Sequence, residues 1–139
     1  MITGIDHIGI AVRDREQAIK KYRDILGLEF TGEETVPAQK VHVIMFKAGD
    51  IRIELLCATA DDSPVAKFLE KKGEGIHHIC LLVDDAAAAL AGIKEKGAAV
   101  VNEIPVRGAH GYLVGFLHPS SFSGVLLELK EKKKPDPSL

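Results

Sequence analysis

Alternating apolar and polar positions near the start of the chain predict a β-strand over residues 4–12. One face of this strand carries Ile8, Ile10 and Val12. The other face is small and mostly apolar, and it consists of Ile5, His7, Gly9 and Ala11. We therefore expect this second face to look into a cleft or a packed space and not into open water.

The apolar period then lengthens to that of an α-helix, with Asp14 as its capping residue and Gln17 completing a capping-box pattern. Gly27 is expected to end this helix. The positions at helical spacing that we expect on its buried side are Ala18, Ile19, Tyr22, Ile25 and Leu26. Three strands are predicted next, at residues 28–36, 41–48 and 50–57. The first module is thus predicted to be β-α-β-β-β.

A connector over residues 61–74 is predicted to hold a short amphipathic helix, which begins after Ser63 and stops at Gly73. The order of elements in the first module then repeats. A strand is predicted at residues 76–83, Asp85 caps a helix over residues 86–96, and Gly97 ends that helix. The three strands predicted to follow cover residues 98–103, 111–118 and 124–130.

The two modules align as an internal repeat, in which His7 corresponds to His78 and Asp14 to Asp85. Each module also closes on a strand that carries one carboxylate, Glu54 or Glu128. We predict a single α+β domain over residues 1–139, built from two β-α-β-β-β modules in tandem that form a curved mixed sheet. Its parts are module one at about 4–60, the connector, module two at about 75–131 and a frayed tail at 132–139.

Strand parity gives the four repeated residues His7, Glu54, His78 and Glu128 a common feature, because each points away from the aliphatic face that would pack on a helix. If the strands share one curved sheet, the four side chains converge on its concave side. Imidazole nitrogen and carboxylate oxygen together suit a divalent ion such as Zn²⁺, Co²⁺, Ni²⁺ or Mn²⁺.

A structural interpretation competes with this one for each residue taken singly. A strand histidine is commonly a hydrogen-bonded structural residue, and a strand glutamate commonly lies on a wet face. Repetition favours the metal site, because chance would have to place both residue types at matched positions twice. His77 has the parity of the aliphatic face, and His42, His110 and His118 have no partners in the repeat, so structural and substrate-contact roles stay open for them.

Composition narrows the classes of function. A hydrophobic content of 46% is ample for a core, and a net charge of −2 argues against nucleic acid as the main partner. No apolar run approaches the length of a membrane span, and no signal-peptide pattern follows Met1. We therefore expect a soluble, untargeted, cytoplasmic protein in which Cys57 and Cys80 are reduced core residues.

The chain resembles the vicinal oxygen chelate (glyoxalase) superfamily, and within it the methylmalonyl-CoA epimerases, from about residue 4 to 131. The resemblance is carried by the repeated plan with its His and Glu residues, in six stretches: Ile5-Asp6-His7-Ile8-Gly9-Ile10-Ala11-Val12, Asp62-Ser63-Pro64-Val65-Ala66-Lys67-Phe68-Leu69, Gly75-Ile76-His77-His78-Ile79, Gly108-Ala109-His110-Gly111, Phe116-Leu117-His118-Pro119 and Gly124-Val125-Leu126-Leu127-Glu128-Leu129. The strand motifs are typical of the whole superfamily. The Asp-Ser-Pro and Phe-Leu-His-Pro segments are more specific to the epimerases.

The resemblance implies an isomerase that interconverts the R and S forms of methylmalonyl-CoA through a metal-stabilised enolate, with one proton removed and one returned. It implies His7, His78 and Glu128 as metal ligands, and Glu54 at a position where the family has Gln or Glu. We expect one divalent ion, Co²⁺ first, and a homodimer with an acyl-CoA as its partner. Gln39 and His110 are the expected substrate contacts.

Two departures from the family concern catalysis and binding of the coenzyme. Some epimerases carry a proposed base where this chain has Val43, so we predict that Glu54 is the second acid/base opposite Glu128, with His42, His110 or a metal-bound water as alternatives. A lysine that often follows the His-Pro pair is replaced here by Ser120. The candidate contacts to the CoA phosphates are Lys67, Lys71, Lys72 and Arg107.

Three other functions use the same fold. A glyoxalase I-like lactoylglutathione lyase has the same four-ligand pattern, but it has no evident need of the Asp-Ser-Pro and His-Pro segments. A non-catalytic ligand-binding protein often loses the ligands, and this chain keeps all four. Extradiol dioxygenases use two histidines and one glutamate around iron, typically in longer chains.

Overall fold

The computed structural model describes residues 1–135. The end of the predicted tail, residues 136–139, lies outside the described residues. The described residues form two compact units: one runs from His7 to His77, and the other combines residues 1–6 with residues 78–135. None of the described helices is both long enough and apolar enough to cross a membrane.

The elements follow the predicted order closely. Within residues 1–135 the strands are β1 Ile2–Ala11, β2 Glu29–Val36, β3 Val41–Ala48, β4 Ile51–Ala58, β5 Gly75–Val83, β6 Val106–Arg107, β7 Leu113–Leu117 and β8 Leu127–Glu131. The α-helices are α1 Arg15–Ile19, α2 Pro64–Lys72 and α3 Ala86–Glu95. Short 3₁₀ turns occur at Pro37–Gln39, Ala109–Gly111 and Pro119–Ser121.

The same strand connection occurs in both units. β4 pairs in parallel with β1 and antiparallel with β3, which pairs antiparallel with β2, so the order is β2-β3-β4-β1. In the same way β8 pairs in parallel with β5 and antiparallel with β7, which pairs antiparallel with β6. This identity of topology confirms the predicted α+β fold of repeated β-α-β-β-β modules with mixed strand directions.

Capping residues begin each helix where the sequence predicts. The carboxylate of Asp14 accepts the N–H of Gln17 at 2.9 Å, and the carboxylate of Asp85 accepts the N–H of Ala88 at 3.0 Å. The Ser63 hydroxyl accepts the N–H of Ala66 at 2.9 Å. These bonds satisfy backbone donors that have no partner within the first turn of a helix.

The first helix departs from the prediction in its second half. After Ile19 it continues as a π-helical segment, Lys20–Ile25, and the N–H of Leu26 donates to the carbonyl of Lys21. The wider turn moves later residues around the helix axis, so the expected burial of Ile25 and Leu26 is wrong. Their exposed fractions are 75% and 63%.

The strand predicted at residues 98–103 is also not formed. Near Val100 the chain pairs with β7 only through an isolated antiparallel bridge between Val100 and Leu117. The N–H of Val101 donates to the carbonyl of Phe116. The side chain of Asn102 accepts the N–H of Phe116 at 2.8 Å, where a regular ladder would use a backbone carbonyl. A side chain that competes with the backbone in this way prevents a continuous strand.

Each unit has its own hydrophobic core beneath a helix. α1 packs on Ile44, Phe46 and Leu55, and α3 packs on Val83, Leu117 and Leu129. Since side chains alternate along a strand, residues such as Glu54 and Glu128 lie on the face opposite the aliphatic residues that carry the helix. Cys57 is half-buried and Cys80 is buried, and burial raises the pKa of the Cys57 thiol.

Candidate metal centre

The first histidine–carboxylate pair lies in the unit from His7 to His77. Nδ1 of His7 lies 3.3 Å from Oε2 of Glu54, and both residues are buried. In the parallel register of β1 and β4, Glu54 lies beside Gly9. Glycine has no side chain, so the position next to the carboxylate on β1 is not filled by one.

The second pair lies in the other unit and repeats the first. Nε2 of His78 lies 3.0 Å from Oε1 of Glu128, and both residues are buried. Glu128 lies in register with Cys80 on one side and Phe116 on the other. The Phe116 ring approaches the His78 ring edge-on with 6.4 Å between centroids. An apolar wall of this kind lowers the local dielectric and strengthens the attraction between the two polar groups.

Both pairs fit a divalent metal ion by donor chemistry and by spacing. Ligand atoms bound at roughly 2.0–2.2 Å to one ion are about 3 Å apart when they occupy adjacent positions. The separations of 3.0 Å and 3.3 Å agree with that value. Glu54 is 3% exposed and Glu128 is 7% exposed, and a carboxylate buried to this degree needs a cationic or hydrogen-bonding partner.

Arg52 is a neighbour of the first pair and was not predicted to be part of the site. Its Nη2 and Nε donate to Oε2 of Glu54 at 2.9 Å and 3.2 Å. The only signal in the sequence is that Arg52 precedes Glu54 by two positions and so shares its strand face. A guanidinium in a strand is equally typical of a solvated edge, so the hydrogen bonds between Arg52 and Glu54 could not be predicted from the sequence.

A buried cation accompanies the second pair on β8. Nζ of Lys130 lies 3.2 Å from Oδ2 of Asp6 and 4.3 Å from the centre of the Tyr112 ring. Lys130 follows Glu128 by two positions and shares its strand face. The carboxylate of Asp6 and the ring face of Tyr112 both stabilise a buried ammonium. No pattern in the sequence predicted the contacts of Lys130 with Asp6 and Tyr112.

The remaining histidines have separate surroundings. Nε2 of His42 lies 2.9 Å from Glu33, and its Nδ1 lies 2.9 Å from the Thr35 hydroxyl. Both oxygens of Glu33 also accept from Arg15, at 2.5 Å each, and this pairing, followed by that with His42, lowers the pKa of Glu33 to about 2. His42 thus belongs to a cluster that ties β2 and β3 to α1.

Histidines 77 and 118 have structural contacts. The ring of His77 meets the ring of Phe68 edge-on with 5.0 Å between centroids, as its aliphatic-face parity suggests. Nδ1 of His118 accepts the N–H of Ser120 and so caps the 3₁₀ turn Pro119–Ser121.

The two expected substrate contacts both lie in turns. Gln39 ends the turn Pro37–Gln39, and its Nε2 is buried with no hydrogen-bond partner in the described residues. His110 is exposed and has a left-handed backbone with φ 58°, a conformation that costs energy in a residue other than glycine. An unsatisfied buried donor and a strained backbone are both more common at functional positions than elsewhere.

Comparison with known proteins agrees with the repeat and with the fold. Residues 6–116 match the glyoxalase/bleomycin resistance protein/dioxygenase superfamily. An ethylmalonyl-CoA/methylmalonyl-CoA epimerase from Cereibacter sphaeroides is 44% identical over 94% of this chain and 99% of its own length. The mitochondrial methylmalonyl-CoA epimerase of Homo sapiens is 41% identical over 91% of this chain and 73% of its own length.

A solved structure gives the same result. A methylmalonyl-CoA epimerase in complex with methylmalonyl-CoA and NH4+ matches with a TM-score of 0.90 and 38% identity, covering 97% of this chain and 100% of that one. The superfamily match spans most of the chain, and the Cereibacter sphaeroides relative is 44% identical over almost its full length. The chain therefore belongs to the glyoxalase/bleomycin resistance protein/dioxygenase superfamily, and the relatives it matches within it include methylmalonyl-CoA epimerases.

Proposed function

We propose that this chain is a metal-dependent methylmalonyl-CoA epimerase. The observation that carries the proposal is the repeated, buried histidine–carboxylate pair, found in a chain that is 44% identical to an epimerase over almost its full length. The reaction class is therefore an isomerisation at the carbon between a thioester and a carboxylate.

Four residues would hold one divalent ion: His7, Glu54, His78 and Glu128. Two neutral imidazoles and two carboxylates balance the charge of such an ion. We take Co²⁺ as the first candidate and Zn²⁺, Ni²⁺ and Mn²⁺ as alternatives, because this donor set suits all four. When bound, the ion supplies a Lewis acid for the negative charge that develops on the thioester oxygen.

Glu128 and Glu54 are the proposed acid/base pair. One carboxylate takes the proton from the carbon between the two carbonyl groups, and the other returns a proton to the opposite face of that carbon. The pair holds equivalent positions in the repeat, which supports roles on opposite sides of the substrate. Val43 is buried in β3 and has no group that transfers a proton, so it cannot replace Glu54 in this role.

Gln39 and His110 are the proposed contacts to the substrate. The buried amide nitrogen of Gln39 would gain a partner from a carbonyl or carboxylate oxygen, and this supports a role in binding. His110 lies between Gly108 and Gly111, so its turn is free to adjust when an acyl-CoA binds. Lys67, Lys71, Lys72 and Arg107 remain candidates for the CoA phosphates.

Homodimerisation and a cytoplasmic location complete the proposal. Apolar side chains that stay exposed, among them Ile104 at 78% and Val101 at 57%, support association with a second chain. The location rests on the sequence features alone.

Proton exchange followed by NMR in D₂O tests the substrate class. The metal-loaded protein is offered methylmalonyl-CoA and, separately, the hemithioacetal of glutathione and methylglyoxal. We expect deuterium to enter only methylmalonyl-CoA, at the carbon between its carbonyl groups. Turnover of the hemithioacetal alone would identify a glyoxalase I-like lyase instead, and no exchange in either would indicate a binding protein.

A further inference from the structure

We propose that Arg52 is a positioning residue that competes with the divalent ion for the Glu54 carboxylate and neutralises that carboxylate when it is not on the ion. This inference rests on the metal-binding role proposed above for Glu54. It deepens that proposal by explaining how one buried residue can be both a ligand and an acid/base.

The geometry places two positive donors on a single oxygen. Nη2 and Nε of Arg52 both reach Oε2 of Glu54, at 2.9 Å and 3.2 Å. Oε2 is also the atom that lies 3.3 Å from Nδ1 of His7. The oxygen that Arg52 holds is therefore the one nearest the partner histidine, so binding of an ion between His7 and Glu54 has to weaken or share the contact with Arg52.

The strand register makes the alternative contact possible. Arg52 and Glu54 are two positions apart on β4 and share a face, with His7 beside Arg52 and Gly9 beside Glu54 on β1. Because Gly9 has no side chain, β1 places none beside Glu54 that would block a turn of the carboxylate between the histidine side and the arginine side.

Burial makes a second partner necessary. Glu54 is 3% exposed, so water cannot compensate its charge whenever the carboxylate leaves the ion. The Arg52 side chain is 31% exposed, so the charge on its guanidinium remains partly solvated at lower cost. A carboxylate that acts as an acid/base has to spend part of each turnover away from the ion. Arg52 would bind the Glu54 carboxylate through its two hydrogen bonds during that time.

Competition between Arg52 and the ion for Glu54 predicts the direction in which removal of Arg52 changes the metal-binding constant. A charge-assisted hydrogen bond to a buried carboxylate changes a binding constant by roughly tenfold to a hundredfold, and partial exposure of Arg52 favours the lower end of that range. Removal of Arg52 also removes repulsion between its positive charge and the ion. Both effects should tighten metal binding.

The test compares Arg52→Gln with the parent protein. Metal affinity is measured by competition with a chelator, and kcat and KM are measured with methylmalonyl-CoA. We expect the metal Kd to fall by about tenfold while kcat falls by at least about tenfold with KM nearly unchanged. Metal should also raise the Tm of Arg52→Gln more than that of the parent, since tighter binding stabilises the folded state more.

Two further variants control for loss of folding and for loss of charge. Arg52→Lys keeps the charge but loses the double contact, so it should give intermediate values even if Arg52→Gln folds poorly. Arg15→Gln removes an arginine that binds Glu33 through two nitrogens, outside the candidate site, and should leave metal affinity and kcat unchanged.

Failure of this inference differs from failure of the proposed function. If the parent binds metal and interconverts the epimers, but Arg52→Gln and Arg52→Lys bind metal no more tightly than the parent, Arg52 does not compete for Glu54. A parent that neither binds a divalent ion nor turns over methylmalonyl-CoA contradicts the proposed function itself, and the role of Arg52 with it.

Discussion

Two glutamates at equivalent positions of the repeat have different neighbours. Glu54 accepts from the guanidinium of Arg52, whereas Glu128 is followed on the same strand face by Lys130, whose ammonium contacts Asp6 and Tyr112. An epimerase needs one group on each side of the reacting carbon, and the two groups exchange the roles of acid and base with the direction of reaction. The two carboxylates proposed for these roles therefore have different charged neighbours, although they hold equivalent positions in the repeat.

Replacement of Glu54 by glutamine separates its proposed role as a ligand from its proposed role as an acid/base. An amide still coordinates weakly through its oxygen but carries no transferable proton. We expect Glu54→Gln to keep proton exchange from one epimer of methylmalonyl-CoA and to lose interconversion by at least about a hundredfold. NMR in D₂O with each epimer separately measures both.

The control for this prediction is Glu33→Gln, since Glu33 is tied to Arg15 and His42 in the cluster under α1. It should leave both rates unchanged. Interconversion near the parental rate in metal-loaded Glu54→Gln would contradict the assignment, and His110 would become the first alternative.

At the scale of elements, a close approach between α3 and β7 fixes the helix that covers the second core. A Cβ built on Gly115 would lie 2.6 Å, 2.8 Å and 2.9 Å from atoms of the Leu90 side chain. Leu90 is 1% exposed and packs within the second core. The absence of a side chain at Gly115 is therefore a packing requirement and not a need for unusual backbone angles.

Gly115→Ala should lower the free energy of unfolding by about 1–3 kcal/mol, because overpacking forces the Leu90 side chain or the helix to shift. Gly92→Ala in α3 is the matched control, because a Cβ there meets nothing within 4 Å. It should be neutral or stabilise the protein by up to about 1 kcal/mol through higher helix propensity. Denaturant unfolding of both variants measures the difference, and equal stabilities would contradict the packing account.

Strand parity and capping were readable from the sequence because both depend on local spacing. Alternation placed His7 on the small face of its strand, and Asp14 and Asp85 cap helices as predicted. The π-helical segment was not predictable, since Ile25 and Leu26 continue the apolar spacing of an ordinary α-helix. The missing strand at residues 98–103 depends on the side chain of Asn102, whose bond to β7 joins residues far apart in sequence.

The candidate site was predictable to a similar extent. Repetition identified the four proposed ligands as a set, and the structure brings them together as one histidine–carboxylate pair in each unit. Arg52 and the contact of Lys130 with Asp6 were not predictable, because each involves a charged residue whose sequence context is also typical of a solvated strand. Such contacts depend on which side chains a register places side by side.

At the scale of the whole molecule, the proposed function assigns the ligands of one divalent ion to both copies of the duplicated module. Each unit supplies an imidazole and a carboxylate from strands that are parallel neighbours. One pair alone offers two ligands, which are too few for a tightly bound ion of this class. The proposed activity would therefore require ligands from both copies of the module, although each unit has its own hydrophobic core.

Metal stoichiometry in two matched variants tests this central claim most directly. We expect about one divalent ion per chain in the parent. Affinity should fall by roughly a hundredfold or more in both His7→Ala and His78→Ala, since each removes a proposed direct ligand. Circular dichroism should show both variants folded. Full occupancy at parental affinity in either variant would contradict the account, because that histidine would not be a ligand of the shared ion.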